Sequence, residues 1–299
     1  MENLIVFSLS SNKKTAKKVA DNLGAQLGGV LVNRFADGEV LIKTLTDVTG
    51  KDCIIIESTA KKAPDRLFEL LLLIDSIKRS GAKSIRLYIP YFGYSRQERV
   101  SWVNEPVSCE VVARILDTGN VDEILTFDLH HSIIESFFKT PFRSLPTSPL
   151  FVDYYKTYFK KHHIAYEDVV VVSPDHGSNE RADAIVKELP GTQKVILTKY
   201  RPQPNKAEHL KVDDKLVKDK YCVIIDDIID TGGTIISATE LLMDSGAKSV
   251  FVAASHAVLS PGSIQNLLQS QIKDIVVTNT IERTLPKAIK VVDITSLIE

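Results

Sequence analysis

The chain has 299 residues, 44% hydrophobic and 25% charged, and its 37 basic and 38 acidic side chains leave a formal net charge of −1. Those proportions exclude a disordered chain, a collagen-like repeat and a disulfide scaffold, and at about 150 residues per domain they suit a globular protein of two domains. Near-neutral charge gives no sequence-independent pull on nucleic acid or anionic lipid, and no apolar run approaches the roughly 18 residues that span a bilayer, so neither is expected as a partner.

In chain order, Met1-Glu2-Asn3 carries an acid where a signal peptide needs positive charge, and Ser8 breaks the first apolar run. Both features argue against export, and a cytoplasmic protein is expected. Short β-branched runs then alternate with segments of helical period: Leu4–Phe7, Ile54–Ile56, Ile85–Ile89, Ile124–Phe127, Val169–Val172, Val223–Ile225, Val250–Ala254 and Ile275–Val277. The rhythm predicts the α/β class, stacked βαβ units around mainly parallel sheets flanked by helices. Cys53, Cys109 and Cys222 are odd in number and far apart, which suits reduced thiols in apolar elements.

The chain echoes itself. Ser80-Gly81-Ala82-Lys83-Ser84-Ile85 recurs as Ser245-Gly246-Ala247-Lys248-Ser249-Val250, each after a Leu-rich helix and before a strand. Upstream, Lys51-Asp52-Cys53-Ile54-Ile55-Ile56 matches Lys220-Tyr221-Cys222-Val223-Ile224-Ile225 at nearly the same offset. Two ordered matches predict duplicated domains, residues 1–146 and 147–299, joined where Pro141, Pro146 and Pro149 interrupt the pattern. The last segment is free in this scheme to pack back on the first domain.

Chemistry concentrates in the second copy. After Val223–Ile225 come Asp226, Asp227, Ile228, Ile229, Asp230, Thr231, Gly232, Gly233 and Thr234, then a helical segment; the first copy has Glu57-Ser58-Thr59-Ala60-Lys61-Lys62 at that place. Carboxylates at a strand's carboxyl end, followed by a small-residue loop that opens a helix, present backbone N–H groups and the Thr231 and Thr234 hydroxyls to an anion such as phosphate. The same acids can accept hydrogen bonds from sugar hydroxyls, directly or through a metal and its waters. An isolated Asp-Thr-Gly reads equally well as a turn whose Asp230 or Thr231 caps the next helix.

Five other stretches carry candidate groups. Arg96, Gln97 and Arg99 follow the strand Ile85–Ile89, where guanidinium groups can bind phosphate and an amide can meet a polar edge, or simply meet solvent. Phe35, Asp37 and Glu39 surround a turn made by Asp37-Gly38. His130 and Asp175 each follow a strong strand and could hold magnesium, or pack and cap locally. Lys199 to Asp214 is rich in proline and charge and poor in apolar residues, the composition of a mobile surface loop.

The Val223–Thr234 segment resembles the phosphoribosyl diphosphate binding loop of type I phosphoribosyltransferases and of the ribose-phosphate diphosphokinase (phosphoribosyl diphosphate synthetase) family. The series Arg34–Glu39, Pro90–Arg99, Asp128–His130, Ser173–Gly177 and Lys199–Pro202 is similar to that of the diphosphokinase family, in its order, along nearly the whole chain. The resemblance implies two tandem phosphoribosyltransferase-type domains and transfer of the diphosphoryl group of Mg2+-bound ATP to ribose 5-phosphate. It implies that Arg96, Gln97 and Arg99 bind ATP, with Phe35 stacking on adenine and Asp37 and Glu39 hydrogen-bonding it from a neighbouring subunit. That shared site implies a homo-oligomer, hexameric in the family. By the same carry-over His130 and Asp175 bind the metal, Lys199 and Arg201 are catalytic, and Asp226, Asp227, Asp230, Thr231, Gly232, Gly233 and Thr234 bind ribose 5-phosphate. No Gly-x-x-x-x-Gly-Lys-Ser/Thr and no Gly-x-Gly-x-x-Gly occurs to offer another nucleotide loop.

Departures from the family pattern are Glu98 for the usual aspartate, Tyr200 for an arginine and Ser178 for a common glycine. Asp47 and Thr49 stand where a serine and an arginine are usual, Val100 to Asn104 lacks basic residues, and Glu299 ends the sequence before the family's customary tail. These changes carry the expectation that control by phosphate and ADP is weakened or lost. The competing readings are a non-catalytic synthetase-like regulatory subunit and a phosphoribosyltransferase, the latter without an identifiable base pocket.

Overall fold

The computed structural model describes residues 3–175, 177–200 and 209–298. It divides into two compact units, Met1–Leu145 with Thr280–Arg283 and Thr295–Glu299, and Pro146–Asn279 with Thr284–Ile294. The first runs β1 (Leu4–Phe7), α1 (Lys13–Leu23), β2 (Gln26–Leu27), β3 (Val30–Arg34), β4 (Val40–Thr44), β5 (Asp52–Ile56), α2 (Ala63–Arg79), β6 (Ser84–Ile89), α3 (Ser108–Asp117), β7 (Glu123–Phe127) and β8 (Phe142–Leu145). Its sheet is parallel throughout, in the order β2-β1-β5-β6-β7-β8, and β3 and β4 form a separate antiparallel hairpin.

The second unit repeats this plan. It runs α4 (Ser148–His162), β9 (Val169–Ser173), α5 (Asn179–Glu188), β10 (Gln193–Ile196), β11 (Thr198–Tyr200), β12 (His209–Lys211), α6 (Asp214–Val217), β13 (Tyr221–Ile229), α7 (Gly233–Asp244), β14 (Ser249–Ala257), α8 (Ser263–Gln269), β15 (Ile272–Thr278) and β16 (Ile289–Val292). The parallel order is β10-β9-β13-β14-β15-β16, again with an antiparallel hairpin, β11–β12, set apart from the sheet. Parallel strands need both faces covered, which is why their sequences read as apolar runs rather than alternating ones. In the second unit Val170, Val172, Cys222, Ile224, Val250 and Val252 pack on one face, and Val169, Val171, Val223, Ile225 and Phe251 on the other.

The repeated Ser-Gly-Ala-Lys has a local cause. Gly81 and Gly246 sit at φ 83° and 88°, just past the ends of α2 and α7, where only glycine avoids the left-handed penalty. In each copy the glycine and the following alanine donate back into the helix, Gly81 to Lys78 O and Ala82 to Ile77 O, Gly246 to Met243 O and Ala247 to Leu242 O. All three cysteines are unpaired and buried, and burial pushes their thiols up to about 11 for Cys53 and about 12 for Cys109 and Cys222. Among the described residues no helix is long and apolar enough to cross a membrane.

Two expectations need correction. The strand expected at Val223–Ile225 continues to Ile229, because β14 supplies partners as far as Ile229↔Ala257. Asp226 and Asp227 therefore lie within a strand rather than beyond its end. The stretch around Pro141 to Pro149, where the units divide between Leu145 and Pro146, contains β8, the sixth strand of its sheet, and the start of α4. The segment Lys199 to Asp214 is hairpin at its flanks, with Lys199 paired to Leu210 and Tyr200 to His209. Residues 201–208 lie outside the described residues.

Candidate functional site

In both sheets the chain leaves the first strand in one direction and the later strands in the other, so the order reverses between β1 and β5 and between β9 and β13. Ligands of open α/β sheets bind outside the carboxyl ends of the strands at such a reversal. In the second unit β9 pairs with β13 only as far as Ile224↔Val172, while β13 continues beside β14. Asp226 and Asp227 thus stand past the end of β9, on the edge of that crevice.

Residues after β9 organise this edge. Asp175 Oδ1 accepts the N–H groups of Gly177 at 2.9 Å and Ser178 at 3.2 Å, a turn that delivers the chain into α5. The Ser178 hydroxyl donates to Asp226 Oδ1 at 2.8 Å, and the Asp227 N–H donates to the same oxygen at 2.9 Å. Asp226 is half-buried, whereas Asp227 is only 4% exposed, with Arg181 Nη2 at 3.9 Å from its Oδ2. Burial and, after it, the neighbouring Asp227 charge push the Asp226 carboxyl up to about 7, against the Ser178 hydrogen bond that favours the ion. In its ionised form such a group can accept a hydrogen bond from a sugar hydroxyl or face a cation.

The loop that follows is held from outside. Asp230 accepts the Ser260 hydroxyl on Oδ1 and the Ser260 N–H on its carbonyl at 3.1 Å. Gly232 precedes α7 at φ 83°, and a Cβ there would stand 3.1 Å from Leu267 Cδ2. The twelve-residue α7 has no side-chain cap and no acid in its first turn, and the Gly233 N–H makes only a 3.5 Å contact with Thr231 Oγ1. Thr231 and Thr234 are exposed. Uncapped N–H groups at the positive end of a helix dipole suit a phosphate monoester.

In the first unit Phe35, Asp37 and Glu39 occupy the tip of the β3–β4 hairpin. Phe35 N–H donates to Glu39 O at 2.9 Å, Gly38 N–H to Phe35 O at 2.9 Å and Glu39 N–H to Asp37 Oδ1 at 3.1 Å. The Phe35 ring is 56% exposed. Arg34 anchors the base of this tip to α2 through Glu69 at 2.8 Å. Arg96, Gln97 and Arg99 are exposed on the segment after β6, which is pinned by Gln97 N–H to Tyr94 O and by Cys109 N–H to Gln97 O. His130 is exposed just after β7 and belongs to the first unit, whereas Asp175 belongs to the second. Lys199 lies on β11; Arg201 lies outside the described residues. Among the described residues no group of three or more His, Cys, Asp or Glu side chains could hold a metal ion.

Two family models match this chain, the N-terminal domain of ribose phosphate pyrophosphokinase over residues 4–119 and a phosphoribosyl transferase domain over residues 145–288. The chain is 40% identical over 291 residues to the ribose-phosphate pyrophosphokinase of Bacillus caldolyticus, covering 96% of this chain and 90% of the relative. The chain belongs to the ribose-phosphate pyrophosphokinase family. The Bacillus subtilis member is 39% identical over 290 residues, covering 97% and 88%. The crystal structure of phosphoribosylpyrophosphate synthetase from Mycobacterium smegmatis superposes with a TM-score of 0.90 at 33% identity, over 99% of this chain and 96% of that one.

Within this pyrophosphokinase chain, sequence reasoning missed the groups that hold the acids. Ser178 stood out only as a departure, and Arg181 and Ser260 not at all. A serine directly before a helical segment is a legible signal for Ser178. Ser260 reaches Asp230 across thirty residues of chain, and no local pattern marks such a contact.

Proposed function

We propose that the chain transfers the diphosphoryl group of ATP to the anomeric hydroxyl of ribose 5-phosphate, giving phosphoribosyl diphosphate and AMP. The observation that carries this reading is the open amino end of α7 beside Asp226 and Asp227, at the strand-order reversal of the second unit. That arrangement supplies N–H donors for a sugar phosphate and carboxylates for its hydroxyls. Thr231 to Thr234 would hold the 5-phosphate, with Asp226 and Asp227 orienting the ribose and Asp230 bracing the loop through Ser260.

In the transfer the anomeric oxygen forms a bond to the β-phosphorus while the bond from that phosphorus to the α–β bridging oxygen breaks. AMP leaves with that oxygen, and the hydroxyl proton passes to solvent. The protein's contribution is in-line positioning together with positive charge where negative charge collects. Lys199 and Arg201 would supply that charge. Arg96, Gln97 and Arg99 would bind ATP, with Phe35, Asp37 and Glu39 of a neighbouring copy at the adenine, which makes the working unit a homo-oligomer.

Magnesium fits the donors present. It prefers oxygen ligands and is usually held by one or two protein groups plus substrate phosphates rather than by a full protein cage. Asp175 has two N–H donors on Oδ1 and no hydrogen bond to Oδ2 from the described residues, so one carboxylate oxygen remains for an ion. Asp175 would hold it, with phosphate oxygens of the substrate as further ligands; the metal role of His130, in the first unit, is what the family resemblance implies. When bound, the ion would offset the charge of the nucleotide's phosphates.

The test is AMP release from ATP by the purified full chain. Release that requires ribose 5-phosphate, and that falls about 10²–10³-fold in Lys199→Ala, supports the reading. No release by either protein would support the non-catalytic alternative, and consumption of phosphoribosyl diphosphate with a base would support a phosphoribosyltransferase.

A further inference from the structure

Ser178 occupies the position before α5 at which a serine normally turns its hydroxyl oxygen toward the first N–H groups of its own helix. It does not do so here: α5 has no side-chain cap hydrogen bond. The hydroxyl instead donates to Asp226 Oδ1 at 2.8 Å, forty-eight residues away on β13. The side chain is 2% exposed, so water cannot readily replace that contact. The Ser178 N–H donates at the same time to Asp175 Oδ1. One residue thus links the ends of β9 and β13 across the strand-order reversal.

The consequence for Asp226 is geometric. Both donors that it receives, the Ser178 hydroxyl and the Asp227 N–H, fall on Oδ1. Oδ2 takes neither of these two hydrogen bonds and is the oxygen left for a ligand, with the Asp227 side chain as the carboxyl's other hydrogen-bonding neighbour. With Oδ1 pinned from two directions the carboxylate plane is fixed before any sugar arrives, and binding need not pay to order it.

We propose that Ser178 is a positioning residue of the sugar site, holding the Asp226 carboxylate so that Oδ2 meets a ribose hydroxyl. The proposal rests on the functional reading above, and its test separates the two. Steady-state AMP release is measured on the full chain for wild type, Ser178→Ala, Ser178→Gly, Asp226→Asn and the Ser178→Ala/Asp226→Asn double variant. Loss of one hydrogen bond to a charged group predicts that KM for ribose 5-phosphate rises about tenfold in both Ser178 variants. KM for ATP and kcat stay within about threefold, because no group touching nucleotide has moved. Since Ser178 acts through Asp226, the double variant has the KM of Asp226→Asn alone.

Unchanged KM for ribose 5-phosphate, a parallel rise in both KM values, or additive effects in the double variant overturns the positioning role. So does failure of both Ser178 variants to fold, because the hydroxyl would then serve the fold rather than the sugar. A wild-type chain that releases no AMP overturns the functional reading and this proposal with it. An active wild type with unaltered variants overturns only the role of Ser178.

Discussion

Glu57 and Asp226 follow the matching runs Lys51–Ile56 and Lys220–Ile225, one in each unit, yet their surroundings are opposite. Glu57 is fully buried and accepts N–H groups from Leu9 at 3.1 Å, Ser10 at 3.4 Å and Ser11 at 3.0 Å, with Arg66 at 3.3 Å. Asp226 has both donors on one oxygen and keeps the other. Burial raises both carboxyls above their ordinary range. The helices that follow repeat the contrast. Both begin after a left-handed residue, Lys62 at φ 48° and Gly232 at φ 83°, but α2 has Pro64 and Asp65 in its first turn and α7 has neither. In one unit backbone and Arg66 surround the carboxylate, and in the other Ser178 and the Asp227 N–H meet only one of its oxygens.

The strongest way to break this contrast is at the hairpins that both units insert between their second and third sheet strands. Lys199→Ala on β11 is expected to lower kcat about 10²–10³-fold with little change in unfolding, measured by AMP release and urea titration. An active Lys199→Ala would leave the two hairpins without a difference in role. Next comes Glu57→Gln, which turns an acceptor-only group into a partial donor facing three N–H groups. It should lower unfolding free energy by about 2–4 kcal/mol and leave KM for ribose 5-phosphate unchanged. A rise in that KM would mean that the first copy also serves the sugar.

The sheets were legible because buried parallel strands must be apolar on both faces, and runs such as Val169–Val172 and Ile54–Ile56 carry that requirement in their composition. The duplication was legible in the Ser-Gly-Ala-Lys repeats, which a left-handed helix end demands. The hairpins were not. Val30–Arg34 is mostly exposed, and β11 and β12 are three residues each, so neither burial nor length marks them. At the site, the acids and the glycine pair carried the chemistry in their residue types. Their supports Ser178, Arg181 and Ser260 did not, because the identity of a hydrogen-bond partner is fixed by the fold and not by neighbours in sequence.

The pH dependence of stability sharpens the contrast at Asp226. A carboxyl held near 7 when folded, against an ordinary value of 3.8, binds its proton more tightly in the folded state. Its contribution to stability is therefore fully present below pH 3.8 and is lost as pH rises through about 7. Asp226→Asn removes the ion that burial and Asp227 disfavour. At pH 8 the variant should be more stable than wild type by about 1 kcal/mol, raising Tm by about 2–4 °C. At pH 4 the two proteins should melt together, because wild type is then already neutral at this position. A variant less stable at pH 8 would show that the surroundings favour the charge.

The smallest expected effect concerns the amino end of α2. Lys62 adopts a left-handed conformation that costs a residue with a Cβ about 1–2 kcal/mol, and glycine escapes that cost while losing about 0.5–1 kcal/mol of chain entropy on folding. Lys62→Gly should therefore stabilise the chain by about 0.5 kcal/mol, detectable as a shift in urea midpoint at unchanged slope. The change puts a glycine before the helix of the first copy, as Gly232 stands before α7, without reproducing the chemistry of that site. Pro64 has no N–H to offer, and the Asp65 carboxylate repels an anion from the same turn. Titration of Lys62→Gly with inorganic phosphate should accordingly give no saturable heat beyond that of wild type. New phosphate binding in this variant would mean that backbone conformation alone makes the site, and that the contrast between Pro64-Asp65 and Gly233-Thr234 carries no weight.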